Sequence, residues 1–395
     1  MLKVLRAKLR QLLSLRFLVY FTLAVIVFFL FFWHISSLTP GISPAEVAAR
    51  SSSRSLRLIY ENPINAPHKI LQHFFVKLSP SSTLALKLST IAFAGLFGFC
   101  FYKLAASWYG KLIGFFGTMI FVSMPLFIVS ARQASSQIML FSPILLMWLY
   151  AWMTKTNRFK GLVWILLLVS AGLLMYTPGL IWFMILGAIA IRSRIKAVFS
   201  EIRRSSAVVG IVAFGVIIAP LIVSCVAHPS IVKRLLLIPP DWPSAIVVAK
   251  DTGWSVLALF IKAPVHNSLI LDRLPVISVI ILALLIFGGY AMQAAARAKA
   301  ISLGASIVFA IVVAGVNNDV VYLALGLPAV CLLASAGLRY LYIEWRAIFP
   351  RNPVPKTFAL VLIAALTITQ VAFGVRYSLI AWPHSVATRS TYVLK

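Results

Sequence analysis

Apolar residues run through this chain in long unbroken blocks, without the one-sided spacing of a surface helix or the alternation of a half-buried strand. A helix rising 1.5 Å per residue needs about 20 such residues to cross roughly 30 Å of hydrocarbon. The pattern predicts eleven membrane spans, at 17–35, 84–102, 112–130, 137–153, 161–176, 178–191, 207–226, 274–293, 300–316, 320–338 and 357–375. An outer-membrane barrel is excluded, because the blocks lack the period-two pattern of barrel strands. The expected fold class is therefore all-α: a polytopic integral membrane protein forming a single transmembrane domain over 1–395.

Two long loops, 36–83 and 227–273, and a short tail, 376–395, interrupt this pattern. In the first loop, 44–60 is predicted to be an interfacial helix. Val47, Leu56, Ile59 and Tyr60 turn to lipid, and Arg50, Arg54 and Arg57 turn to headgroups. A second interfacial helix is expected at 70–78. Tyr176-Thr177-Pro178-Gly179 predicts a tight helical hairpin, since Pro cannot continue the first helix and Gly permits the turn.

Composition agrees with the pattern. Of 395 residues, 62% are hydrophobic and only 11% charged, against about a quarter charged in soluble domains. A soluble enzyme and a disordered chain are both excluded. Charge adds orientation. There are 36 Lys and Arg against 8 Asp and Glu, a formal net charge of +28. Lys3, Arg6, Lys8, Arg10 and Arg16 lead into the first span, and basic residues recur in every second loop. By the positive-inside rule the N-terminus is cytoplasmic, while both long loops and the C-terminal tail lie outside the cytoplasmic membrane. Orientation and anionic lipid headgroups account for these charges, so no nucleic-acid partner is expected. Cys100, Cys225 and Cys331 sit in apolar blocks as packing residues.

This topology puts Glu46, Glu61, Asp241, Asp251, Asp272 and Asp319 outside, with His34, His68, His73, His228, His266 and His384. Short basic inner loops produce the same sorting with no site at all, so sidedness alone does not define one. Glu46 is the most informative acid. It follows the Pro40-Gly41 turn at the membrane surface, where a carboxylate is costly unless a cation or a reacting proton answers it. Ser43 stands three residues before it, the spacing of a capping box, so a helix-start role is also open. His68 and His73 are five apart rather than four, off the spacing that brings two ligands to one helical face. No metal site and no cofactor are expected, a divalent ion having little support.

The order of these features resembles the GT-C superfamily of lipid-dependent glycosyltransferases, especially the protein O-mannosyltransferase and aminoarabinose-transferase branch. The resemblance rests on four features in order. An acid follows Pro40-Gly41. Asn65-Ala66-Pro67-His68-Lys69 opens the second interfacial helix. The patch Ser130-Ala131-Arg132-Gln133-Ala134 follows the third span. Asn317-Asn318-Asp319 leads a late span into Leu327-Pro328. The likeness covers roughly 15–340 and implies transfer of a sugar from a polyprenyl-phosphate donor to an extracytoplasmic acceptor, with inversion. It implies Glu46 as general base, and Arg132, Lys69 and Lys262 as cations for the lipid phosphate, each of which could instead serve headgroups. Asp319, Asn317 and Asn318 become candidates to orient sugar hydroxyls, or else a capped turn. Trp242, in Pro239-Pro240-Asp241-Trp242-Pro243, becomes a stacking platform or an interfacial anchor. Glu61 is a further substrate-binding candidate. The expected partners are the donor, membrane lipids and a protein that supplies acceptor recognition. The alternatives are a non-catalytic GT-C-like scaffold, favoured by Ala45 and Gln137 where the family often carries acids, and a lipid or solute transporter.

Overall fold

The computed structural model describes residues 15–79, 82–156, 159–263, 269–271, 273–348 and 353–393. Lys3, Arg6, Lys8, Arg10, His266 and Asp272 lie outside the described residues, as does the side chain of Arg16. The chain folds as a bundle of helices: α1 (Leu15–Phe32), α2 (Pro44–Ser52), α3 (Leu56–Glu61), α4 (Ala66–Leu78), α5 (Thr83–Tyr109), α6 (Lys111–Val122), α7 (Pro125–Arg132), α8 (Pro143–Met153), α9 (Lys160–Leu174), α10 (Leu180–Ser200) and α11 (Arg204–Ala227). There follow α12 (Pro229–Leu235), α13 (Ala245–Phe260), α14 (Val279–Ala295), α15 (Arg297–Val316), α16 (Leu327–Ile348), α17 (Pro353–Val375) and α18 (Val386–Thr391).

Each apolar block expected to span is helical, but the lengths differ from the expectation. Among the described residues, six helices are long and apolar enough to cross a membrane, or seven if α6 and α7 make one bent span. Phe21–Phe32, Lys160–Leu174, Leu180–Ala190 and Val279–Ala295 are apolar but shorter, at 10–17 residues. The multi-pass architecture follows from these helices and from what surrounds them. On α11, Val208, Val212, Val216 and Val226 are 60%, 58%, 67% and 78% exposed, an apolar face that only lipid can solvate.

The breaks in the helices have local causes. Pro125, lacking an N–H and set at the first turn of α7, ends α6 at Ser123 and turns the chain by 63°. The block at 137–153 begins as a tight 3₁₀ turn, Ser136–Phe141, before α8 starts at Pro143. The block at 320–338 likewise opens with a 3₁₀ turn, Val320–Leu325, and its α-helix runs later than expected, over α16. The single interfacial helix expected at 44–60 is two helices. Ser53 caps the end of α2, and Ser55 starts α3 by accepting from the Leu58 N–H. Val47, Leu56 and Tyr60 are exposed as expected, but Ile59 turns inward onto Ile64, Ala66, Tyr176 and Leu221.

The expected hairpin at 176–179 does turn, with Gly179 at φ +78°. Its helices then part, α9 packing on α11 and α10 on α15. The turn is wedged by the chain after α12: the Gly179 N–H donates to the Leu235 carbonyl, and Leu237 fills the space where a Gly179 Cβ would lie. The loop at 227–273 contains a full helix, α13, packed along α15. The tightest helix pair is α14 with α16. There Gly288 lies against the Leu333 carbonyl and Gly337 against the Leu284 carbonyl, closer than any side chain allows. Under the bundle end that gathers α2, α4 and α7 lies a floor of buried rings, Phe31, Phe101, Phe121, Phe127 and Phe141. The stacked Phe101–Phe121 pair has its centroids 4.4 Å apart.

Candidate functional site

Glu46 is fully buried. It sits at the third position of α2 because Ser43 and Pro44 start that helix, and the capping box expected from the sequence is formed in both directions. One carboxylate oxygen accepts from the Ser43 N–H at 2.9 Å and from Ser43 Oγ at 3.3 Å. The other accepts from the Ala134 N–H at 2.9 Å, from 88 residues away, and faces Lys87 Nζ at 3.9 Å. The carboxylate therefore does more than cap. It ties α2 to the turn after α7 and sits opposite a buried cation, which offsets part of its desolvation cost.

The Arg-Gln-Ala patch supplies three separate contacts. The Arg132 guanidinium donates to the carbonyls of Leu30 and Trp33, and its Nε has no hydrogen-bond partner. Lys87 donates to the Ile35 carbonyl at 3.2 Å. Both cations thus sit at the C-terminal end of α1, on the Leu30 carbonyl of its last turn and the Trp33 and Ile35 carbonyls just beyond it, where positive charge is favoured. Gln133 donates to the hydroxyl of Tyr392, from beyond α18. The Ala134 carbonyl accepts from Gln72 of α4, whose amide also reaches the Leu86 carbonyl. Asn65, at φ +57° before α4, donates to Ser136 at 2.8 Å. One short turn, 132–136, is therefore pinned from α1, α2, α4 and the C-terminal tail.

Three residues before Gln72 on the same helix is Lys69, 8% exposed, whose Nζ donates to the Asn62 carbonyl at 2.8 Å. Burial, and then the neighbouring guanidinium of Arg234, pull its pKa down to about 8. Among the described residues neither Lys69 nor Arg234 forms an ion pair. Lys69 is buried and Arg234 exposed, and their like charges are close enough to repel, which makes the pair a candidate site for an anion. Tyr322, in the 3₁₀ turn before α16, feels both Arg234 and Asp319, and burial followed by Asp319 pushes its phenol up. Asp319 starts that turn by accepting from the Val321 N–H at 3.0 Å, and Asn317 donates to the Leu237 and Val313 carbonyls. Asn318 is exposed at φ +47°. Around the first turn of α4 opens an apolar cleft of about 260 Å³, lined among others by Ile59, Pro63, Pro67, Tyr176, Ile217 and Pro220.

The candidates from the sequence thus fall into two clusters, with three residues outside them. Glu46 and Arg132 gather around Lys87, while the charge of Arg234 is felt by both Lys69 and Tyr322, and that of Asp319 by Tyr322. Glu61 is exposed and paired with Arg57 at 3.0 Å. Lys262 is exposed beyond α13, and Trp242 is 72% exposed; no hydrogen bond or ion pair joins either side chain to a cluster among the described residues. His68 and His73 go separate ways. His68 Nε2 meets Thr90 Oγ1 at 2.9 Å, and burial with the Lys69 charge pulls its pKa down to about 3, so the ring is neutral. His73 Nδ1 bonds the Ser53 carbonyl. Sequence reasoning missed Lys87, Arg234 and Tyr392. Lys87 had a signal, a lone cation inside an expected span.

Solved structures similar in fold include two of ArnT. ArnT from Cupriavidus metallidurans in the apo state matches with a TM-score of 0.60 and 14% identity, over 95% of this chain and 76% of that one. The same organism's ArnT bound to undecaprenyl phosphate matches with a TM-score of 0.52 and 13% identity, over 95% of this chain and 75% of that one. No protein-family model matches the chain, and no curated protein is similar to it in sequence. ArnT is an aminoarabinose transferase of the GT-C superfamily. Likeness at this identity shows a shared fold: the chain has the all-α, polytopic architecture of ArnT expected from its sequence.

Proposed function

We propose that this protein transfers a sugar from a polyprenyl-phosphate donor to an acceptor hydroxyl at the outer face of the membrane. The observation that carries this reading is the electrostatic coupling of Lys69 and Arg234, two cations with no ion-pair partner among the described residues, with Lys69 on the helix whose first turn lines an apolar cleft. A lipid phosphate satisfies both halves of that site. Its charge answers the cations, and the first isoprene units bury against Pro63, Pro67, Tyr176 and Ile217. The undecaprenyl phosphate held by the ArnT of the same fold supports this choice of ligand.

In this reaction the acceptor oxygen attacks the anomeric carbon and Glu46 takes its proton. The bond from that carbon to the phosphate oxygen breaks with inversion, and the polyprenyl phosphate leaves as an anion stabilised by Lys69 and Arg234. Asp319 and Asn317, near Tyr322 in sequence, are the residues we assign to orienting sugar hydroxyls. Arg132 and Lys87 act one step back, holding the end of α1 and the Glu46 loop. A second reading, the non-catalytic scaffold, is favoured by the complete burial of Glu46 and the occupation of both its oxygens. The test is transfer in membranes from a panel of radiolabelled polyprenyl-phosphate sugars, wild type against a Lys69→Met, Arg234→Gln double variant. Transfer by wild type and its loss in the variant supports the reading. A wild type inactive with every donor leaves the scaffold.

A further inference from the structure

The C-terminal segment ends against the residues around Glu46. After α17 the chain continues through a π-turn, Arg376–Ala381, and a single turn, Trp382–His384, before α18. Tyr377 Oη accepts from the Leu271 N–H, fixing the start of the segment. At its far end Tyr392 is 1% exposed, more buried than its neighbours Thr391 and Val393. Its ring packs edge-on against Trp382 at 5.4 Å, and its hydroxyl oxygen accepts a hydrogen bond from the Gln133 amide beside Ser43 and Glu46. A tyrosine at the end of a six-residue helix is buried that deeply only if its hydroxyl is answered and its ring packed, and both conditions hold here. Tyr392 thus lies next to the Ser43–Glu46 capping box, and Glu46 is the residue that a substrate hydroxyl must reach.

We propose that residues 376–393 form a lid latched by Tyr392 over the Glu46 carboxylate, and that the structure shows the closed state, in which no acceptor reaches Glu46. Opening moves Tyr392 off Gln133 and exposes Ser43, Glu46 and Gln133 together. The importance of the covered carboxylate rests on the transferase reading, but the lid itself is tested without activity. Ser43→Cys places a thiol beneath Tyr392, in a background where Cys225, the one cysteine not fully buried, is serine. Reaction of that thiol with a membrane-impermeant maleimide, on protein shown folded by gel filtration, is slow with Tyr392 in place. It is at least tenfold faster in Tyr392→Ala. Tyr392→Phe keeps the ring packing and loses the hydroxyl, so it labels at an intermediate rate and serves if the alanine variant does not fold. Fast labelling with Tyr392 intact, or equally slow labelling in all variants, overturns the lid. Loss of transfer in the panel above bears on the chemistry alone.

Discussion

Lys69 offers the sharpest handle on the anion site. Its substitution by Met keeps the length and apolar stem of the side chain and removes only the charged head. A unit charge about 4 Å from a phosphate, at an effective dielectric constant of about 20, is worth at most about 4 kcal/mol. The ammonium gives up water and shares its protons with the Asn62 carbonyl, so a charge-assisted bond of about 2–3 kcal/mol is the better figure. Binding of undecaprenyl phosphate by the protein in lipid nanodiscs should therefore weaken roughly 30- to 150-fold. The pH profile carries a second signature. The free Lys69 pKa is about 8, lowered by burial and Arg234, and a bound anion raises it. The contribution is then full below pH 8 and falls as pH rises through that value, by up to about tenfold per unit. The phosphate is already doubly charged above about pH 7, so its own titration does not interfere. Lys69→Met should abolish this fall. Unchanged affinity with an unchanged pH profile would refute the anion site.

Other perturbations follow from the same contacts. Arg132→Met leaves the Leu30 and Trp33 carbonyls without their buried donor and should cost about 2–4 kcal/mol, read as a lower unfolding temperature in detergent and not rescued by Lys. Gly288→Val forces α14 off the Leu333 carbonyl; the helices cannot close, and the folded fraction on gel filtration should collapse, whereas Ala at the open Gly289 is tolerated. Glu61→Gln breaks an ion pair whose side chains are 88% and 49% exposed; such pairs contribute at most about 1 kcal/mol, and its unfolding temperature should stay within error of wild type.

Local chemistry made part of this legible in the sequence. Continuous apolar blocks located the helices, and Ser43-Pro44-Ala45-Glu46 announced both the start of α2 and its buried acid. The serines at 51–55 carried the signal that splits the first interfacial helix, since serine caps helices better than it continues them. Long-range pairing was not legible. Glu46 meets Ala134 and Lys87, and Lys69 feels the charge of Arg234, only because helices distant in sequence pack together. No spacing rule reaches across 88 residues. Tyr392 read as part of a short tail, because its burial depends entirely on where α17 delivers the chain. The turn at 176–179 was encoded locally and forms, but the packing partners of α9 and α10 were chosen by neighbouring helices.

What remains is the chemistry at Glu46. Glu46→Gln keeps the side-chain volume and an oxygen for the Ala134 N–H while removing the base. Transfer from a radiolabelled polyprenyl-phosphate sugar, in membranes with matched amounts of folded wild type and variant, should fall by at least about a hundredfold, the scale of general-base catalysis. Equal rates for the two proteins would contradict the assignment, leaving Glu46 as a staple between α2 and the Arg132–Ala134 turn.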